Sequence, residues 1–444
     1  MDYTLYNIIK ELAQKGKKRF HMPGHKGNGM GNLLDGAYYI DYTETPDTGD
    51  LYGDEHDFID EAEARAAQYF GAESCLFLTC GATQGIKSAI FTFTDGKNSL
   101  LVDRNTHKSI IDTCVLLDIF PKYIAPHFDA QLGITKEFDL DELEETLKKS
   151  PEIKAFLITS PTYYGYCHDV KAIADICHRY DVKLIVDGAH GSHLKACGVS
   201  DPVTDGADAV IFSAHKTLPT LTQGAFLLLR DRDYEAKARR GCILFGTTSP
   251  SYPIMASLDI GREFIEKLDE NHKNTIINAC ADVRRRLGEM GFVSPCLGDP
   301  LRITICCKGL GYELYDHFMA HDMVAEMADD NNVVMIATFS DKPEDIALIA
   351  DIAAYFAFES KKNGIVSGKI PVCEAVISPR EAFFAEKKKM PLKDAVGMAA
   401  GENIYIYPPG VPVIALGEKI DEKSLEYLSD IRYNIDKEIE VVSL

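Results

Sequence analysis

The chain has no basic leader, no paired CxxC motif and no apolar run near the roughly 18 residues that a membrane-crossing helix needs. Met1-Asp2-Tyr3-Thr4 opens it without a charged region followed by an apolar core, so neither export nor membrane insertion is expected and a cytoplasmic location is. The 12 cysteines are scattered, several inside apolar runs such as Cys75 and Cys306-Cys307, which reads as reduced thiols rather than a disulfide framework. Basic charge is scarce as well. Lys and Arg number 47 against 68 Asp and Glu, a net charge of −21. A surface of that sign repels nucleic acid and anionic membranes and attracts small cations. There is no internal repeat or low-complexity tail, and Glu386-Lys387-Lys388-Lys389 reads as a solvated patch.

What is present is enough apolar material, 46% of 444 residues, for two or three packed domains. Leu5, Ile8, Ile9 and Leu12 mark a helix over 4–15, and Phe58, Ala62, Ala66 and Phe70 mark one from Asp54 to Phe70. Short apolar strands are expected at 72–79, 99–102, 155–159, 183–186, 209–212 and 225–229, joined by helical crossovers. Polar residues gather after their C-terminal ends, as in Asp103-Arg104-Asn105-Thr106-His107-Lys108-Ser109. This predicts an α/β fold, a mostly parallel sheet with flanking helices and a site along one edge. One long helix is predicted from about Pro253 through Arg285. A smaller α/β unit follows, with strands at 302–306 and 332–338 and helices at Tyr312–Asp329 and Pro343–Ser360. The expected divisions are an N-terminal segment 1–52, a large domain 53–290, a small domain 291–368 and a C-terminal domain 369–444, with a linker at 364–369. His21-Met22-Pro23-Gly24-His25-Lys26-Gly27 reads as a ligand- or interface-facing loop rather than a metal site, because Pro-Gly breaks the helix that would align its histidines.

Two strand ends stand out. Lys183-Leu184-Ile185-Val186 runs into Asp187, and Ala209-Val210-Ile211-Phe212 runs into Ser213-Ala214-His215-Lys216. A lysine just past a buried strand, beside a hydroxyl and an imidazole, sits where its amine can be desolvated and form a Schiff base. An aspartate at a preceding strand end supplies the carboxylate for a pyridinium nitrogen, so the pair points to pyridoxal phosphate. Cys80-Gly81-Ala82-Thr83-Gln84-Gly85 is a small-residue turn opening a helix, whose amides and Thr83 hydroxyl suit a phosphate.

HMPGHKG at 21–27, DRNTHKS at 103–109, SAHKTLP at 213–219, TTSPSY at 247–252, PREAFF at 379–384 and YPPGVP at 407–412 together resemble the bacterial ornithine/lysine/arginine decarboxylases. The resemblance runs from His21 to Glu418. It implies fold type I of the pyridoxal-phosphate enzymes, with smaller α/β C-terminal domains, in a short form without the receiver-like N-terminal domain. It implies that Lys216 binds the cofactor's aldehyde, Asp187 keeps the pyridine nitrogen protonated and His107 stacks on the ring. Gly81, Ala82, Thr83, Ser213 and His215 would hold the phosphate, with Thr247 reaching it from a neighbouring subunit of a homodimer, and His190 would approach the phenolic oxygen. No metal is implied. The reaction would be decarboxylation of arginine, lysine or ornithine, with Glu418 the candidate partner for the substrate's cationic tail. Transamination, with Arg302 or Arg380 clamping the α-carboxylate, or aldol-type cleavage on the same cofactor is the rival chemistry, and a catalytically silent regulatory member the rival class. His168 and His193 read as ordinary histidines. Gly188 stands where many relatives carry a larger residue, Ala82 and Gln84 replace hydroxyl residues of the turn, and Met398 stands where relatives often have arginine.

Overall fold

The fold is taken from a computed structural model that describes residues 4–15, 35–53, 58–199, 201–356, 370–406, 411–431 and 433–443. The 21–27 loop, the 364–369 linker and Tyr407-Pro408-Pro409-Gly410 lie outside them.

The main sheet is built from β1 (Ser74–Leu78), β2 (Leu100–Asp103), β3 (Lys122–Ile124), β6 (Ala155–Thr159), β7 (Lys183–Asp187), β8 (Ala209–Phe212) and β9 (Ala225–Leu229). Phe128–Asp129 and Ile134–Thr135, β4 and β5, form a small hairpin apart from it. Strand order is β1-β9-β8-β7-β6-β2-β3. β2 pairs in parallel with β3 and β6, whereas β9 runs antiparallel to both β1 and β8. Strands β1, β2, β8 and β9 are buried along their whole length, which is why they read as continuous apolar runs without alternation. The sheet is thus the mixed, mostly parallel one expected for an α/β fold.

The chain divides into two compact units, residues 1–92 with 186–270 and residues 93–185 with 271–444. In the first, Phe70, Phe77, Phe212 and Phe226 pack ring against ring with centroids 5.2–5.5 Å apart. Burying one such ring contributes about 1.5–3 kcal/mol. The helix Ala82–Phe93 seats tightly on this core, since a Cβ at Gly85 would lie 2.7 Å from Leu78.

In the second unit, Asp139 caps the helix Leu140–Lys149 by accepting from the Asp141 and Glu142 amides, and the helix places Lys148 and Lys149 at its C-terminal end. Both features favour a helix at that site. β10 (Arg302–Cys306) and β11 (Met327–Ala328) flank β12 (Asn332–Ile336), and β13 (Lys388–Pro391) and β14 (Ala399–Ala400) flank the final strand. β15 (Ile404–Ile406) pairs with β16 (Val411–Ile414), and β17 (Glu438–Val442) is that final strand. Leu392, Ala400, Ile404, Val413, Ile420, Leu428 and Val441 form the C-terminal core. Ser378 and Glu381 make a capping box for the helix Pro379–Phe384.

Three predicted helices differ, the one expected over Pro343–Ser360 ending at Ala353. The long one is two, Tyr252–Lys267 and Glu270–Glu289, because Leu268 adopts an extended backbone (φ −65°, ψ 125°). The expected Tyr312–Asp329 helix stops at Ala320, and Asp322 turns the chain with φ +59° before β11.

Candidate functional site

Lys216 lies on the connection from β8 to β9, in the first unit. Ala214–Lys216 forms a single 3₁₀ turn in which the Lys216 amide donates to Ser213 O at 3.0 Å. The side chain is partly buried, and its Nζ lies 2.9 Å from Nε2 of His190, itself 5% exposed. Lysine has only donors when protonated, so an ammonium in this contact needs Nε2 unprotonated and the ring proton on Nδ1.

Asp187 ends β7, the sheet neighbour of β8, and is 3% exposed. Its Oδ1 accepts from the Ala189 amide at 3.2 Å. Beyond the two strand ends, Ser192 and Thr217 share a buried hydroxyl contact of 2.6 Å that ties the Asp187 and Lys216 segments together. The sequence reading missed this pair, although each hydroxyl sits within five residues of a motif residue. Ser213 is buried, with Oγ 3.4 Å from Nδ1 of His215, whose Nδ1 also lies 3.2 Å from Gly224 O.

The small-residue turn enters the same unit. Gly81 has φ +79°, and a Cβ built there would meet nothing nearer than Thr83 N at 4.0 Å. The turn is therefore open on that side, at the N-terminus of a 12-residue helix whose first amides lack intrahelical partners. Gly81 N–H donates to Gln223 O at 3.0 Å, joining this turn to the lysine connection, and Gln223 holds a left-handed φ of +77° to make the bond. Such backbone strain in a non-glycine residue is concentrated at functional sites. Thr83 is exposed and Ala82 partly so. Thr247 is partly exposed, its hydroxyl accepting from the Ser249 amide at 3.2 Å. An open amide turn, a buried carboxylate and an amine beside an imidazole form a set of groups that fits pyridoxal phosphate.

His107 and Glu418 belong to the second unit. His107 is an exposed N-cap of the helix Lys108–Leu117, with Nδ1 accepting from the Ser109 amide at 3.2 Å. That bond leaves the ring proton on Nε2 and fixes the ring plane.

Glu418 corrects an expectation. Instead of standing at a mouth it is 1% exposed, and Arg104 holds both its oxygens, at 2.9 and 2.7 Å. The Ala415 amide also donates to it at 2.7 Å, while Arg104 reaches Val413 O at 2.6 Å and stacks over Tyr123. Burial pushes the Glu418 carboxyl up, and Arg104 opposes that shift. Three donors hold this carboxylate inside the fold, away from solvent.

The family model for the Orn/Lys/Arg decarboxylase major domain matches residues 4–304, and that for the C-terminal domain matches 369–437. The chain belongs to the ornithine/lysine/arginine decarboxylase family. Among relatives of this decarboxylase family member, an arginine decarboxylase of Halalkalibacterium halodurans is 31% identical, over 96% of this chain and 92% of its own. The arginine decarboxylase of Bacillus subtilis is 29% identical over 96% and 92%. The lysine decarboxylase LdcF of Francisella novicida superposes with a TM-score of 0.83 at 20% identity, covering 99% of this chain and 81% of that one, a likeness of fold.

Proposed function

We propose that the protein decarboxylates a basic amino acid, with arginine favoured, using pyridoxal phosphate. The observation that carries the reading is the Lys216 amine on His190 Nε2, one strand from the buried Asp187. The family and its fold neighbours point to this cofactor, among them a structure named as serine palmitoyltransferase with PLP. When bound, the cofactor would supply an electron sink for the pair left behind as CO2 departs.

The chain's own groups divide the remaining work. Lys216 exchanges a proton at Nζ with His190 Nε2, which makes its lone pair available without bulk water. Asp187, buried at its strand end, would hold the ring nitrogen protonated, as a carboxylate beside a titrating nitrogen favours its charged form. The amides of Ala82 and Thr83, with Ser213 and His215, suit a phosphate dianion, to which Thr247 of a neighbouring subunit would offer a further hydroxyl. His107 has the fixed ring that stacking on a cofactor needs. The acidic surface favours a cationic substrate.

Arginine is favoured because relatives matching more than 90% of both chains carry that name. The lysine decarboxylases of Pseudomonas aeruginosa and Escherichia coli match 59% and 58% of this chain. Against transamination stand both clamp candidates. Arg380 donates to the Val115 and Leu116 carbonyls, and Arg302 is 2% exposed and donates to Tyr163 O.

The test is incubation of the cofactor-loaded protein separately with arginine, lysine and ornithine, scoring CO2 and the matching amine. Stoichiometric CO2 and agmatine from arginine is the expected outcome. Amine from lysine or ornithine alone would keep the reaction and move the substrate, and no CO2 from any would overturn the reading.

A further inference from the structure

Gln84, which replaces a hydroxyl residue of the phosphate turn, is 1% exposed and hydrogen-bonded at both ends of its amide. Oε1 accepts from the Cys80 amide at 3.2 Å, while Nε2 donates to Cys242 O at 2.8 Å and to Tyr52 Oη at 3.2 Å. Its backbone N–H donates to Gly81 O at 3.0 Å, closing the turn from the other side. Cys242 lies in the last turn of the helix Glu235–Phe245, which leads through Gly246 into Thr247. Gly246 is packed so closely that a Cβ there would lie 2.3 Å from Gln84 Nε2 and 2.6 Å from Cys242 O. One planar amide thus spans the Tyr52 loop, the Gly81-Ala82-Thr83 turn and the entry to Thr247, all in the first unit. Its polarity is matched to each: an acceptor facing an amide, and two N–H donors facing a carbonyl and a hydroxyl. A serine hydroxyl, with one donor and a shorter reach, could serve only part of this set.

We propose that Gln84 is a positioning residue for the phosphate end of the cofactor, aiming the amides of the Gly81-Ala82-Thr83 turn. The inference rests on the pyridoxal phosphate reading above and deepens it. Gln84 makes no contact that Lys216 or Asp187 depends on in the bonds described. Its loss should therefore be felt where the phosphate is held and not where the aldehyde is.

The full-length protein, freed of cofactor, would be titrated with pyridoxal phosphate and with pyridoxal, the same aldehyde without phosphate, following visible absorbance on binding. Wild type should bind the phosphorylated form much more tightly. Gln84→Ala should weaken pyridoxal phosphate about tenfold, the effect of losing one to two net hydrogen bonds, with pyridoxal affinity unchanged. Gln84→Met, which fills the same volume without hydrogen bonds, should show the same selective loss and serves if the alanine variant does not fold. Tyr52→Phe, which keeps the Cys80 and Cys242 bonds, should stay within about threefold of wild type. Equal loss for both ligands, or no loss for either, would overturn the role of Gln84. A wild type that binds the two ligands equally would instead overturn the assignment of the turn to phosphate, and the proposal with it.

Discussion

Two basic side chains sit at strand ends of the main sheet, and the protein treats them in opposite ways. Arg104, directly after β2, is fully buried and held at several points: a two-point fork to Glu418, a bond to a carbonyl and a ring beneath it. Lys216, four residues after β8, is only partly buried and rests its amine on an imidazole nitrogen that can itself take a proton. A guanidinium stays charged and its planar fork rewards fixed geometry, whereas an ammonium changes charge readily when its surroundings change. The first arrangement holds a chain in place, and the second suits the nucleophile proposed for Lys216. Burial of a cation is therefore a poor guide to chemistry, and the proton capacity of its partner is a better one.

Substitutions should separate the two sites cleanly. Lys216→Ala should lower amine production by a factor on the order of 10³ or more, as removal of a nucleophile does, while leaving the thermal unfolding midpoint near that of wild type. A fully active variant would remove Lys216 from the chemistry. Glu418→Ala should cost about 3–5 kcal/mol in urea unfolding because Arg104 is left buried and uncompensated. The paired Arg104→Met/Glu418→Leu variant should recover most of that loss, and failure to recover would mean that the fork's geometry, beyond charge neutrality, is required. The smallest effect concerns a buried base with no role in the site. His168 is stacked on Phe138 with Nε2 unpartnered, and burial lowers its pKa from 6.5 to about 4. Between those values the unfolded chain binds a proton that the folded protein does not. Stability should thus fall as pH drops from 6.5 to 4, by up to roughly 1.4 kcal/mol per unit from this group. His168→Phe should flatten that part of the urea-midpoint profile, and an unchanged slope would show that other groups set it.

Strand ends were legible in the sequence because short, largely apolar runs bounded by polar turns leave little choice of structure. β6, β8, β9 and β10 fall at their expected residues. The break at Leu268 was not legible, since a leucine there suits the helical pattern and only its backbone angles reveal the stop. Glu418 was misjudged for a different reason: its partner lies 314 positions away, and no local pattern announces such a pair. Gln84 read as a lost hydroxyl for the same cause, its partners being Tyr52 and Cys242. Lys216 and Asp187 could be singled out because each stands at or just past the end of its own strand, in neighbouring β8 and β7, so no distant partner had to be guessed.

Gly188, directly after Asp187, has its missing side chain's place taken: a Cβ there would lie 2.8 Å from the Phe212 ring and 3.3 Å from Val210. One volume beneath the aspartate is shared by two chain positions, and in this protein the phenyl ring has claimed it. Tolerance to change there is a property of the pair. A lone bulky residue at 188 would be rejected, yet the same residue alongside a smaller side chain at 212 would be accommodated, so sequence drift at either position is expected to wait on the other.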